Sequence, residues 1–360
     1  MNLPFVLTTS LLLSLPLLAQ QQKVLPPGMD HVEGPLVYTY PFGRADGAMQ
    51  VLVDADRLTL AQGVITGISF RPSQVTATQV GTGYTKNYRI TAYTVTRPAS
   101  MMVADPVINI GAATGTVVFN GPVTLPNSGI LTQQPAPFLI PMPFSAPFPF
   151  DGSQGNLLLL IETADTNPVP SLYRIDAVNF RNNQVTGLVT DIDPNGGCAG
   201  PGGSLSIATA EAQAIVGGVI DTTLTSTANG AFPVALATLS LAWQPTDLTP
   251  FGLSGCSSFG GLGFAFQILF ENGGGGYPHA LWNVPLDPLF EGVAVYTQVL
   301  GLPPSNTLAG AALSQGQAIR IGSSSFPPQK MMAAFRSSTG WFIGTAGEFT
   351  PVILFDGVFP

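Results

Sequence analysis

His31 and His279 are the only imidazoles in the chain, and most of its length separates them. Any Ser-His-acid relay must use one of them, as must any histidine-ligated metal site. His31 lies in a segment rich in Gly and Pro, and His279 follows a run of four glycines, so each reads as a surface residue. No HExxH pair, GxSxG elbow or GxxxxGK[ST] phosphate loop occurs. Gly81-Thr82-Gly83 and Gly261-Leu262-Gly263 lack the later glycine and the strand-to-helix context of a dinucleotide site.

Four other groupings could do chemistry. A glycosidase needs two acids facing each other across a cleft. Glu162, at the end of an apolar run, and Glu271, beside the glycine loop, are the candidates, with solvated turn acids as the plain alternative. Asp191, Asp193 and Asn195, followed by Gly196, match the opening of a calcium loop, in which alternating short oxygen ligands converge on a hard cation. The twelfth position, however, is Gly202 rather than Glu, and Asp-Pro-Asn-Gly is equally a turn sequence between domains. The chain calls for no cofactor unless that loop holds calcium. Cys198 and Cys256 are the only cysteines; in an oxidising compartment they read as a disulfide, free thiols at a metal being the alternative. Tyr277 and Trp282 could stack on a sugar ring, although the strand pattern around them also suits core packing.

These residues must be positioned by strands. The chain has 41 Gly and 33 Pro against 12 Lys plus Arg and 20 Asp plus Glu. Gly and Pro are poor inside helices and useful in turns, and the charged residues that coat helical surfaces are scarce. Alternation marks Tyr88 to Val95 as a strand, and the five-residue apolar run Leu157 to Ile161 fits a central strand buried on both faces. Pro135 to Pro149, with Phe138, Phe144 and Phe148 interleaved, cannot be a central strand and reads as an extended edge or crossing segment whose rings cap the core. Trp341 to Ile343 and Val352 to Phe355 read as a tail hairpin that completes a sheet.

Charge is uneven. Residues 21–185 hold ten acids and nine bases, while residues 186–360 hold ten acids and three bases, within a formal net charge of −8. An acidic second half repels phosphate backbones and anionic membrane surfaces, so nucleic acid is excluded as a partner. Residues 1–20 are apolar from Leu3 to Ala19 apart from Thr8, Thr9, Ser10 and Ser14, and the run stops at Gln20-Gln21-Gln22-Lys23. That pattern reads as a secretion signal, too short and too proline-broken to span a bilayer. No later stretch approaches the roughly 20 apolar residues of a spanning helix.

A resemblance adds to this. Tyr40-Pro41-Phe42-Gly43-Arg44, Gln50 to Ala55 and Gly63 to Arg71 lie in the first half. Gly197-Cys198, Asp247 to Gly252 with Gly255-Cys256, Gly292 to Gln298, Leu313 to Gln317 and Ile319 to Gly322 lie in the second. Together they resemble a group of secreted bacterial two-domain β proteins of unassigned function. The resemblance covers most of residues 35–322. It implies export, two sandwiches and pairing of Cys198 with Cys256, and it implies no activity.

The expected fold is therefore all-β: two β-sandwich domains of jelly-roll or immunoglobulin type, with almost no helix beyond the signal peptide. The expected divisions are a signal peptide over 1–20, domains over 24–185 and 196–325, and a tail hairpin over 326–360. The expected function is that of a secreted, non-catalytic extracellular, cell-surface or periplasmic protein, with polysaccharide or the cell envelope as its partner. A carboxylate-pair glycoside hydrolase is the alternative from another class, and a self-assembling envelope protein is the third.

Overall fold

The computed structural model describes residues 21–59, 61–73, 82–127, 134–165, 169, 172–179, 186–192, 197–260, 265–272, 276–305, 308, 310–323, 330–337, 340–343 and 349–360. The expected signal segment, residues 1–20, lies outside them. So do residues 180–185, 193–196 and 324–329, where the expected boundaries fall. The fold is all-β, and the described residues include two short α-helices, Ala55–Leu58 and Pro106–Ile110. No helix among the described residues is long and apolar enough to cross a membrane.

The first sandwich packs a six-stranded sheet against a four-stranded one. The larger sheet runs Gly340–Ile343, Met331–Ser337, Ala48–Val53, Asn156–Thr163, Tyr84–Val95, Thr116–Leu125, all antiparallel. The smaller runs Gln21–Leu25, Ile353–Val358, Gln62–Phe70, Ile140–Asp151. Their inner faces meet in one core, with Val51, Leu157 and Leu159 from the first sheet against Ile65, Phe70 and Phe355 from the second. Leu158 points the other way, into a second cluster with Leu52 and Val95. The strand Asn156–Thr163 is thus buried on both sides, which is why its sequence is apolar without alternation.

The proline-rich segment forms the edge strand Ile140–Asp151. Ile140, Met142, Phe148 and Phe150 are buried while Pro141, Pro143, Pro147 and Pro149 face solvent. An edge strand has one side with no partner, so the missing proline donors cost little there.

The end of the chain returns to this sandwich. Met331–Ser337 lies between Ala48–Val53 and Gly340–Ile343 in the larger sheet, and Ile353–Val358 lies between Gln21–Leu25 and Gln62–Phe70 in the smaller. The two expected tail strands do not pair with one another; each completes a different sheet. Residues 188–320 therefore form strands inserted between two parts of the first sandwich.

The insert is a smaller sandwich. One sheet runs Leu188–Asp191, Gln317–Arg320, Ala294–Leu302, Val234–Ser240, Ala265–Phe270, with Ala312–Leu313 also on Ala294–Leu302. The other is Leu205–Thr209, Val219–Ser226, Ala280–Asn283. Ile207, Ile220, Leu224 and Trp282 from the three-stranded sheet meet Ala235, Ala237, Val299 and Ile319 from the larger one. Gly301 leaves room for side chains from across the core: a Cβ there would lie 2.6 Å from Leu205 and 2.9 Å from Phe232.

A strap, residues 26–34, lies between sandwich and insert. Met29 and Val32 are fully buried, in a cluster with Val178 and Val352 on one side and Leu188, Tyr296 and Ala318 on the other. From the sandwich, Arg71 donates to the carbonyls of Asp30 and Val32; from the insert, Arg320 Nε donates to the Pro27 carbonyl at 2.7 Å. The Glu33 amide donates to Thr190 Oγ1 at 2.8 Å.

Candidate functional site

The outer face of the insert's larger sheet is unusually apolar for its position. Along Ala265–Phe270 the residues turned inward are Ala265, Gln267 and Leu269, and those turned outward are Phe266, Ile268 and Phe270, which are 66 %, 56 % and 65 % exposed. The next strand continues the row: Phe266 lies opposite Thr238, Ile268 opposite Leu236 and Phe270 opposite Val234. One strand further, Leu236 faces Leu300 and Val234 faces Leu302. Side chains directly opposite on one face of a sheet touch, so these residues make one continuous apolar surface.

A flap covers part of it. The chain leaves Val234–Ser240, forms a small hairpin of Thr246–Asp247 on Ser257–Ser258, and carries Leu248, Phe251 and Leu253 over the sheet. Between flap and sheet is a cleft of about 310 Å³, with Leu236, Thr238 and Leu300 as its floor and Leu308 and Leu313 at its end. Two fasteners hold the flap. The Cys198–Cys256 disulfide, with Cα atoms 5.4 Å apart, packs with Leu253, Ala311 and Leu313. Gln298 accepts from the Phe259 amide at 3.1 Å and donates to the Ser257 carbonyl at 3.1 Å.

A larger groove, about 480 Å³, lies on the first sandwich between Arg97 and the helix Pro106–Ile110. Its one charge is engaged within the groove wall: Arg97 donates to the carbonyls of Met101 and Ile108.

The residues singled out by sequence fall in separate places. Tyr277 and Trp282 are both buried in the insert core. Trp282 points inward because Ala280–Asn283 alternates with Ala280 and Trp282 in and Leu281 and Asn283 out. Tyr277 folds back so that its hydroxyl donates to the Phe232 carbonyl, and burial, with Glu271 adding to it, pushes the phenol up to about 12. Neither ring is placed to stack on a sugar from solvent. Glu162 pairs with Arg336 at 3.7 Å in the first sandwich, while both oxygens of Glu271 accept from the Gly230 amide in the insert, at 2.9 and 3.0 Å. The structure does not bring these two acids together.

Asp191 accepts from the Gln317 amide at 2.8 Å; Asp193 and Asn195 lie outside the described residues. Among the described residues there is no group of three or more His, Cys, Asp or Glu able to hold a metal ion. His279 is exposed, as its sequence context suggests, and its Nδ1 lies 2.7 Å from Asp221 Oδ1 on the outer face of the three-stranded sheet. His31 is only partly exposed: it is half-buried against Trp243 and Tyr296 of the insert.

Sequence reasoning passed over the outward row and the cleft. Alternation divides Ala265–Phe270 into two faces, but Phe, Ile, Phe outweighs Ala, Gln, Leu in apolar area, so the sequence alone points the wrong face at the core. No protein-family model matches the chain, and no curated protein is significantly similar to it.

Proposed function

We propose that this chain is an exported, non-catalytic binding protein that attaches to an envelope or extracellular target through the outer face of the insert's larger sheet. The observation that carries the reading is the row Phe266, Ile268, Phe270, three large apolar side chains each more than half exposed and continuous with Leu236 and Leu300. Scattered exposed apolar residues are ordinary, but a contiguous patch marks an interaction surface. The apolar leader over 1–20 and the disulfide support export. Polysaccharide remains a target class, contacted through Phe266 and Phe270 rather than the buried Tyr277 and Trp282.

A second reading, self-assembly, draws on a separate observation: Ala265–Phe270 is an edge strand, and exposed apolar edges pair with copies of themselves. Co-sedimentation of the mature protein with its own cell envelopes and a polysaccharide panel, with and without EDTA, tests the first reading. Saturable binding that weakens at least about tenfold when Phe266, Ile268 and Phe270 are all changed to Ser is expected, given about 1.5–3 kcal/mol per fully buried side chain of this kind. Absence of binding by the unaltered protein overturns the attachment reading. Concentration-dependent assembly on size exclusion, lost in the same triple variant, would replace it with the second.

A further inference from the structure

We propose that the cleft between the flap and the sheet binds the alkyl chain of a single-chain amphiphile, leaving its polar head in solvent. This rests on the reading of the same sheet face as a binding surface and gives that face a ligand class. Three properties of the walls lead to it. First, no charged side chain among the described residues lines the cleft. Second, its polar residues are already engaged: Thr238 Oγ1 donates to the Gln298 carbonyl at 3.1 Å, and the Gln298 amide donates to the carbonyls of Ser257 and Ser314 at 3.1 and 3.0 Å. Ser258 is likewise engaged. A sugar or peptide entering it would leave hydroxyls or amides unpaired, at about 1–3 kcal/mol each. Third, the space suits a chain. At the roughly 30 Å³ that one water takes up in the liquid, 310 Å³ is room for about ten groups of water size, which is on the order of a ten-carbon chain. The rim is open, with Phe251 59 % and Leu308 40 % exposed, so one end of the occupant reaches water.

The test is isothermal titration calorimetry of the full-length mature protein with neutral 1-alkanols from hexanol to dodecanol, each below its solubility limit. Expected is saturable one-to-one binding whose affinity rises about fourfold per methylene and levels off near ten carbons, with a negative heat-capacity change. Leu236→Trp, which fills the cleft from its floor, should reduce affinity at least tenfold. Leu300→Trp provides an independent filling from the neighbouring strand, and unchanged thermal melting qualifies either variant. Phe266→Ser should leave alkanol binding intact while weakening envelope attachment, so failure of this proposal and failure of the attachment reading are told apart. No saturable heat with any alkanol overturns the proposal. So does affinity that climbs with length without levelling, equally in the unaltered protein and the folded Trp variants, since that is partitioning onto an exposed surface.

Discussion

The His31 ring lies flat on Trp243, with centroids 3.9 Å apart and planes 17° apart. His31 belongs to the strap and Trp243 to the insert, so the stack is a direct contact between strap and insert. Tyr296 closes it edge-on at 5.8 Å from His31, and Phe259, at the end of the flap, stacks on the far side of the cluster at 5.5 Å from Trp243. The aromatic cluster therefore joins strap, insert and flap.

Burial lowers the His31 pKa, Arg71 lowers it further, and Asp30 partly opposes them. The folded protein thus favours the neutral ring, and between the lowered value and the ordinary one near 6.5 the unfolded chain binds more protons. The stability of this contact is complete above about pH 6.5 and is lost as pH falls below it. Thermal unfolding should show a melting temperature that drops from pH 7.5 to pH 5.5 by more in the unaltered protein than in His31→Phe, which keeps the stack and cannot titrate. Equal drops would mean that His31 does not carry the dependence.

Arg71 and Asp176 have fully buried side chains, with Nε 2.7 Å from Oδ2, and Asp176 Oδ1 accepts from the Gly34 amide at 2.8 Å. Burial drives the Asp176 carboxyl upward and the guanidinium opposes it. Removing one partner leaves a buried charge uncompensated, at about 3–5 kcal/mol, whereas replacing both with apolar residues of similar size is often near neutral. Asp176→Ala should therefore lose several kcal/mol in urea unfolding, and Arg71→Met with Asp176→Leu should lose less than the single change. A double variant as weak as the sum of the singles would show that the pair acts only through its separate contacts with the strap.

How much of this was legible beforehand depended on whether the deciding interaction was local. The run Leu157 to Ile161 could be placed because a strand buried on both faces has a sequence mark of its own, and so could the proline-rich edge, since proline has no donor to give a second neighbour. Alternation in 265–270 and 280–283 showed two faces but not which one met the core; that is decided by Phe232, Leu205 and Ile220, far away in sequence. Trp282 was thus read as a candidate ligand contact while Phe266 went unremarked. The tail strands show the same limit. Trp341–Ile343 and Ile353–Phe355 look like a hairpin, yet their partners are Ala334–Arg336 in one sheet and Phe70–Ile68 in the other.

The Cys198–Cys256 disulfide closes a loop with a sequence separation of 58, which in the chain-entropy picture is worth about 4 kcal/mol. Its loop contains the strand Val219–Ser226, the strand Val234–Ser240 and the flap, all of them in the insert. Changing both cysteines to Ser should accordingly lower the insert's unfolding transition more than that of the first sandwich. Calorimetry before and after the change measures this: two transitions that move apart are expected, and a uniform shift of a single transition would mean that sandwich and insert unfold together.

Ile353–Val358 is an inner strand, hydrogen-bonded to Gln62–Phe70 on one side and Gln21–Leu25 on the other, and Ile353 and Phe355 are fully buried in the first core. Met331–Ser337 likewise separates Ala48–Val53 from Gly340–Ile343, with Ala333 and Phe335 buried. Stopping the chain after residue 323 would remove both, leaving one hydrogen-bonding edge of Ala48–Val53 and one of Gln62–Phe70 unpaired and taking Phe335 and Phe355 out of the core. The insert behaves differently, because its first and last strands are antiparallel neighbours, with Leu188 opposite Arg320. Its two ends leave the sandwich side by side, so residues 188–320 can be replaced by a short Gly-Ser linker without stretching the chain. The truncated chain should be insoluble or lack cooperative unfolding, while the linker variant should melt cooperatively at reduced temperature, having lost the contacts of Met29 and Val32 with the insert. A soluble, cooperatively melting truncation would show that the first sandwich closes without its carboxyl-terminal strands and that their pairing is dispensable.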